Sequence, residues 1–270
     1  MKITFLGGGN MANALIGGML NQGFAAADIQ VVELNPANRD KLAREFGVTC
    51  HAGPEPAAWA CDLAILAVKP QQMKAAVAPL VPYLEEQLVV SIAAGLSLET
   101  LSRWLGGHRR IVRCMPNTPA LIGAGITGLC ALPEVDMAER AAAEKVLSTV
   151  GSTLWIEDEA RMDGVTAVSG SGPAYVFLFI EALQQAAAEL GFSPEQGRQL
   201  SIETVLGAAR LAAQSDDPAS VLRERVTSKG GTTEAALRAM AEKGVKEGIV
   251  AGVRAAEARG RELGALLGAA

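Results

Sequence analysis

Histidine, paired cysteine and clustered positive charge are all scarce in this 270-residue chain, and each scarcity closes off a class of function. There are two histidines, His51 and His108, and neither lies in a polar turn of the chain. A reaction that needs an imidazole to shuttle protons is therefore poorly served, and both read as structural. The four cysteines (Cys50, Cys61, Cys114, Cys130) show no C-x-x-C spacing, and each sits in or beside an apolar run. That pattern predicts buried thiols in a reducing compartment. No Lys/Arg block stands out, the formal charge is −5 and the pI is near 5.3. Nucleic acid is thereby disfavoured as a partner, because neutralising phosphates takes a basic face. The most apolar late run, Tyr175 to Ile180, lies between Pro173 and Glu181 and is too short to span a bilayer. The chain opens Met-Lys-Ile-Thr-Phe-Leu and reaches Gly7 at once, which fits no signal peptide. The expectation is a soluble, cytoplasmic protein.

What is present is a clear division of pattern. Half of the residues are apolar, enough for one large domain or two ordinary ones. Lys2 to Leu6 reads as a strand, Gly7-Gly-Gly-Asn-Met-Ala12 follows it, and a helix continues to Gly23. This is G-x-G-x-x-A between strand and helix, the setting in which the motif has physical meaning. Gly7 supplies the tight turn, Gly9 lets backbone approach a pyrophosphate, and Ala12 allows close helix–strand packing. Leu6, Gly8, Asn10 and Met11 complete the expected phosphate turn.

The second strand, Ile29 to Leu34, ends at Glu33-Leu34-Asn35-Pro36, where an adenosine ribose belongs. A carboxylate there suits a 2′-hydroxyl, whereas Arg39 and the amides suit a 2′-phosphate. With Glu33 inside the strand and Asn35 as the first loop residue, Asn35 and Arg39 favour NADPH, with NADH the alternative.

Asp62 to Val68 and Leu88 to Ile92 read as strands buried on both faces. Their C-terminal ends, Ala67-Val68-Lys69-Pro70 and Ala93-Ala94, are expected to line the cofactor crevice. Further strands are expected at Val48, Arg109–Arg113, Ile126–Leu132 and Ser152–Ile156, with a helix over Glu134–Val150. The order predicts a Rossmann-like doubly wound α/β sheet over residues 1–156.

From Glu157 the pattern turns helical, with helices expected over Val176–Leu190, Pro194–Gln214, Ala219–Arg225 and Thr233–Leu266. Residues 157–270 therefore form an all-helical C-terminal domain, of a kind that often doubles as a dimer interface. Two turns in this half favour small anions. Val168-Ser-Gly-Ser-Gly-Pro-Ala-Tyr175 carries Ser169, Ser171 and Gly172. Val226-Thr-Ser-Lys-Gly-Gly-Thr-Thr-Glu-Ala-Ala-Leu237 sets hydroxyls and a Gly-Gly pair before a helix start, where free N–H groups collect.

Taken together, Gly7–Ala12, Ala67-Val-Lys-Pro-Gln71, Arg113-Cys-Met-Pro-Asn-Thr-Pro119, Ser169–Tyr175 and Val226–Leu237 resemble the pyrroline-5-carboxylate reductase family. The resemblance covers essentially the whole chain. It implies NAD(P)H-dependent reduction of 1-pyrroline-5-carboxylate to proline. It also implies a helical domain that interlocks two subunits, often within a ring of dimers. Two positions depart from the family pattern: Lys229, where the family usually has Pro, and Pro54, where it often has Asn nearby.

The reaction suits the residues. A cyclic imine can arrive already protonated, so few acid–base side chains are needed. We expect the substrate carboxylate on the Gly231–Thr233 amides and the Thr233 hydroxyl, with Ser228, Thr232 and the Ser169–Gly172 turn also around the substrate. By resemblance, Thr233 contacts or protonates the imine nitrogen and Glu159 borders the substrate. A β-hydroxyacid-type dehydrogenase is the rival enzyme, with Lys243 or Lys246 as nominal acid–base. A nonenzymatic dinucleotide sensor is the rival of a different kind.

Overall fold

A strand without a polar face must be covered on both sides, and three strands of this chain are of that kind. All four residues of β1 (Ile3–Leu6), β4 (Leu63–Leu66) and β5 (Leu88–Ser91) are buried. The computed structural model describes residues 1–269. Among them, β2 (Ile29–Val32), β3 (Thr49–His51), β6 (Ile111–Met115), β7 (Gly125–Ala131) and β8 (Gly151–Trp155) complete one sheet, ordered β3-β2-β1-β4-β5-β6-β7-β8. Every neighbouring pair is parallel except β6 with β7. Leu6 pairs with Leu66 and Leu66 with Ser91, so β1, β4 and β5 end level with one another. The strand order reverses at β1, which makes its C-terminal end the crevice of a doubly wound sheet.

Side-chain alternation supplies each face with its own core. Ile3 and Phe5 meet α1 (Asn10–Asn21), α2 (Pro36–Phe46) and α5 (Met137–Leu147) through Leu15, Ile16, Leu42 and Val146. Leu6, Ala64 and Leu66 meet α3 (Pro70–Val77) and α4 (Leu98–Trp104) through Met73 and Leu101. Phe5, Leu15 and Ile65 have no exposed surface, and burial of each contributes about 1.5–3 kcal/mol.

The expected strands are in place, with ends that shift by one or two residues. The expected helix over Glu134–Val150 is the shorter α5, followed by a 3-10 turn over Ser148–Val150. The helical half contains α7 (Gly172–Glu189), α8 (Pro194–Ala213) and α9 (Ala219–Arg225). The expected single helix Thr233–Leu266 is two, α10 (Thr232–Glu242) and α11 (Val245–Ala269). Gly244 separates them at φ +66°, a conformation that ends a helix and that only glycine adopts cheaply.

Contacts divide the chain into a sheet unit, Met1–Ser171 with Ala256–Ala270, and a helical unit, Gly172–Ala255. The sheet unit therefore runs past Ile156, where the change of sequence pattern lies. The reason is local. Met162 of α6 (Met162–Val165) is fully buried in the second core. Val165 occupies space left by Gly128, where an added Cβ would lie 2.7 Å from Val165 Cγ1.

The apolar run at Tyr175–Ile180 also proves longer than its sequence suggests. It belongs to a helical run, Glu159–Glu189, that is long and apolar enough to cross a membrane by length and composition. In the helical unit Val176, Phe177, Leu178 and Phe179 are exposed.

The sparse residues have structural places. Cys114 and Cys130 are buried, Cys50 and Cys61 partly so, and all four are free thiols whose burial raises their pKa. His51 Nε2 lies 2.6 Å from Gln30 Oε1. His108 Nε2 lies 2.9 Å from the Gln87 carbonyl, and burial lowers its pKa.

The start of α5 offers a direct test of local stability. Asp136 Oδ1 accepts from Glu139 N at 2.8 Å while Glu139 Oε2 accepts from Asp136 N at 2.9 Å, a complete capping box. Asp136→Ala is expected to destabilise the sheet unit by about 1 kcal/mol. Thermal unfolding should show a midpoint a few degrees lower, and Asp136→Asn should restore most of it.

Candidate functional site

The phosphate turn begins where β1 runs out of sheet. Gly7 adopts φ +98°, and a Cβ there would sit 2.8 Å from the Ala67 carbonyl oxygen and 2.9 Å from Val68 Cγ1. A side chain is thus excluded twice, by backbone conformation and by the neighbouring strand end. Gly7 N donates to Val32 O at 2.8 Å, which fixes the turn to β2. At Gly8 an added Cβ would lie 2.5 Å from Leu42 Cδ1. Gly9 differs: a Cβ would meet nothing within 4 Å. It is the exposed N-cap of α1, with no side-chain cap and no acid in the first turn. The first α1 amides, those of Asn10, Met11 and Ala12, precede the first intrahelical bond, Asn13 N to Gly9 O at 2.9 Å, and so lack helical acceptors. An uncapped twelve-residue helix behind a clear backbone approach fits a pyrophosphate.

The same sheet edge gathers the other expected cofactor residues. Leu6 ends β1, Ala67 and Val68 follow β4, and Ala93 and Ala94 follow β5. Lys69 is the N-cap of α3 and Pro70 its first residue. Ala67 N donates to Leu6 O at 2.8 Å and Ile92 N to Leu66 O at 3.2 Å, so the three strand exits are held side by side.

The ribose corner carries detail that the sequence did not reveal. β2 ends at Val32, although Glu33 N continues the ladder to His51 O at 3.0 Å. The Glu33 carboxylate turns back: Oε2 accepts from Gly8 N at 2.9 Å and Oε1 from Asn35 N at 2.8 Å. Asn35 caps α2, its Oδ1 accepting from Ala37 N at 2.9 Å. Arg39 Nη1 donates to the carbonyls of Glu33 (2.7 Å) and Leu34 (2.8 Å), which folds the guanidinium over this corner. Asn13, not foreseen as a site residue, donates Nδ2 to Gly8 O at 3.0 Å and to Gly9 O at 2.9 Å. An amide four residues into α1 is the signal that could have found it.

The expected substrate residues fall on both units. In the sheet unit, Glu159 Oε1 accepts from Arg113 Nη1 at 2.9 Å and from Leu98 N at 2.7 Å. Arg113 Nη2 reaches Asp163 Oδ1 at 3.3 Å, and this guanidinium is 8% exposed. The sequence pattern marked Glu159 but gave Arg113 no role. A buried cation between two carboxylates is a contact that only the fold brings together. Gly95, Ser97, Thr100, Arg113, Asp163 and the end of α11 surround a polar cavity of about 460 Å³ here.

Ser169 lies in a π-helical turn, Thr166–Gly170, with its Oγ donating to Val165 O at 2.9 Å. Ser171 N reaches back to Thr166 O at 2.8 Å. Asn117 Nδ2 donates to Ser169 O at 3.2 Å while Asn117 Oδ1 accepts from Ile126 N at 3.0 Å. Asn117 therefore pins this turn to the exit of β6. Single-turn π insertions of this kind are frequent at functional sites.

In the helical unit, Gly172 opens α7, the turn before α10 carries Ser228 and Gly231, and Thr232 and Thr233 open α10 itself. Gly231 N donates to Ser228 O at 3.0 Å, so its amide is already engaged inside the turn. Gly230 takes φ +73°, and its N donates to Glu234 Oε2 at 2.7 Å. The expected amide set of Gly231–Thr233 thus narrows to Thr232 and Thr233, the first two residues of α10. Gly231 is the N-cap and provides no side-chain cap. Thr233 is half-buried, whereas Lys229 is exposed.

Sheet order, glycine turn and uncapped α1 together define a dinucleotide-binding class of fold. Residues 2–95 match the family described as NADP oxidoreductase coenzyme F420-dependent. Residues 159–263 match the family described as pyrroline-5-carboxylate reductase dimerisation. A pyrroline-5-carboxylate reductase of Pseudomonas aeruginosa is 46% identical over 99% of this chain and 98% of its own length. The solved structure of a pyrroline-5-carboxylate reductase from Coxiella burnetii superposes with a TM-score of 0.91. It is 39% identical, over 97% of this chain and 98% of that one. A Plasmodium falciparum pyrroline carboxylate reductase solved with NADP bound is 29% identical, with a TM-score of 0.87 over 98% of each chain.

The chain belongs to the pyrroline-5-carboxylate reductase family. It is an oxidoreductase that reduces 1-pyrroline-5-carboxylate to proline.

Removing Arg113 should reveal how much the sheet unit depends on it. Arg113→Met leaves Glu159 and Asp163, both partly exposed, without their cation. It is expected to destabilise the fold by about 2–3 kcal/mol, at or under the low end of the range for a fully buried pair. Denaturant unfolding that leaves the midpoint unchanged would show that the ion network contributes nothing.

Proposed function

We propose that NADPH is the reductant, with NADH the weaker alternative, and that the polar groups divide as follows. The Gly7–Met11 turn holds the pyrophosphate, and Asn35 and Arg39 face the adenosine ribose. Leu6, Ala67–Pro70, Ala93 and Ala94 line the remaining crevice. Thr232 and Thr233 donate backbone N–H groups to the ring carboxylate, and the Thr233 hydroxyl adds a third donor. Ser228 and Gly231 belong to the same carboxylate turn, and the Ser169–Gly172 turn is a further substrate-contact candidate. Glu159, engaged with Arg113, positions rather than reacts.

A dinucleotide held by the Gly7–Met11 turn and the crevice residues would supply a hydride for the imine carbon. With the imine already protonated on arrival, addition at carbon would turn the C=N bond into C–N, the π electrons would return to nitrogen, and the ring would leave as a neutral amine. The protein's part is to orient the substrate and keep its carboxylate compensated. Thr233 Oγ1 is the group assigned to the imine nitrogen. The observation that carries this reading is the open space at Gly9 before an uncapped α1; α10 likewise starts without a side-chain cap.

We assign a homodimer built through the helical residues, with a ring of dimers as the larger form, in the cytoplasm. The exposed Val176–Phe179 face supports a partner subunit as its cover. A second copy accounts for this apolar helix without a membrane. Light scattering at micromolar concentration that gives a monomer would overturn the dimer; twice a dimer mass or more would support the ring.

The activity test is loss of NADPH absorbance with 1-pyrroline-5-carboxylate, repeated with NADH. Absence of decay at saturating substrate would defeat the enzymatic reading and leave the sensor. Thr233→Ala removes a hydrogen bond to a charged group, about 1.5–3 kcal/mol, so kcat/KM should fall about tenfold to a hundredfold. Near-normal kcat/KM in that variant would remove Thr233 from the site.

A further inference from the structure

In doubly wound sheets, an acid at the end of the second strand is the usual partner of the ribose hydroxyls. The geometry points to a different role for Glu33: we propose that it is a positioning residue, a carboxylate latch that joins the phosphate turn to the ribose corner. This rests on the dinucleotide reading above.

Four observations support the latch. First, both carboxylate oxygens are engaged with backbone donors from different segments, Oε2 with Gly8 N at 2.9 Å and Oε1 with Asn35 N at 2.8 Å. A carboxylate fixed by two N–H groups has its plane and reach set by the protein. Second, the backbone of Glu33 is held as well: its N donates to His51 O, and its carbonyl accepts from Arg39 Nη1 at 2.7 Å. Third, Gly8 is enclosed. Its carbonyl accepts from Asn13 Nδ2 at 3.0 Å, and a Cβ added there would lie 2.5 Å from Leu42 Cδ1 and 3.2 Å from Glu33 Oε2. Fourth, the Gly9 position is open, and the α1 first turn is free of acids and caps.

The consequence is a division of labour within one turn. Glu33 and Asn13 occupy the hydrogen-bonding groups of Gly8, so the amides left facing the open side are those at the start of α1. Glu33 also ties that turn to Asn35, the cap of α2, and to the backbone on which Arg39 is folded. Loss of the carboxylate therefore loosens two subsites together. A ribose ligand would instead be selective: its loss would weaken NADH and relieve repulsion against the 2′-phosphate of NADPH.

Glu33→Gln and Glu33→Asp test the difference through equilibrium binding of NADPH and of NADH, followed by nucleotide fluorescence without substrate. Glutamine accepts from only one of the two amides, and aspartate is a methylene too short to bridge them. Both variants are expected to bind each dinucleotide about tenfold more weakly, with the NADPH-to-NADH ratio of Kd unchanged. Tighter NADPH binding with weaker NADH binding in Glu33→Gln, or normal NADH binding in Glu33→Asp, would establish the ribose role and overturn the latch. Unchanged binding of both nucleotides would also overturn it. Failure of the unaltered protein to bind either nucleotide would instead overturn the dinucleotide reading, and the latch with it. Amide hydrogen exchange of the unaltered protein gives a check that needs no variant. The Gly8 and Asn35 N–H groups should be protected well above neighbouring loop amides, and rapid exchange at both would rule out the latch.

Discussion

The close approach of Gly7 to the end of β4 is the constraint on which the sheet unit's chemistry depends. A Cβ at Gly7 would lie within 3 Å of the Ala67 carbonyl oxygen, so backbone meets backbone at the switch point. That contact brings the exits of β1 and β4 together, and the register Leu6–Leu66–Ser91 keeps the third exit level with them. Hydrophobic burial makes the sheet stable, but it does not place a turn to such tolerance. The left-handed φ at Gly7, without steric penalty for glycine, does.

Around that turn nearly every polar group serves the protein's own geometry. Glu33, Asn13, Asn35 and Arg39 each bond to backbone within the corner they form. The same holds at the Arg113–Glu159–Asp163 network and at Asn117, which fixes the π turn bearing Ser169. Side chains thus shape the sites, and main-chain amides at helix starts are left to face anions. Fixed amide dipoles suit this task because their orientation is set before a ligand arrives.

The legible part of this architecture was the part written in periodicity and in glycine. Four-residue apolar runs mark the buried strands, and Gly7 with Gly9 mark the tight turn between β1 and α1. The helical half is visible as well, yet the break at Gly244 is not, because a lone glycine in a helical pattern does not announce a left-handed residue. Pairings across long separations were not legible. Arg113 and Glu159 are 46 residues apart, and Asn117 and Ser169 are 52 apart, so only the fold makes them partners. Glu33 illustrates a subtler limit. Its position suggested a contest between acid and base at the ribose, whereas the side chain's actual bonds run to Gly8 and Asn35. Composition told which charges were present and not which way they turned.

The scarcity of acid–base residues also takes on a physical meaning at the substrate end. Reduction of a ketone or an alcohol's reverse reaction requires a group that carries a proton at near-neutral pH, and histidine is the usual choice. Here His51 and His108 are bound into the sheet unit at Gln30 and Gln87, and burial disfavours the charged form of His108. A protonated imine carries its own positive charge to the reacting carbon, so the protein has less to supply. What such a substrate needs is a compensated carboxylate and a neighbouring hydroxyl. The start of α10 offers both, with two free amides and Thr233. The negative Glu234, drawn back onto Gly230 N, is held in the turn by that bond. An anion that approaches α10 meets N–H dipoles whose first-turn carboxylate, Glu234, already has its partner, and that is the electrostatic condition the proposed carboxylate site requires.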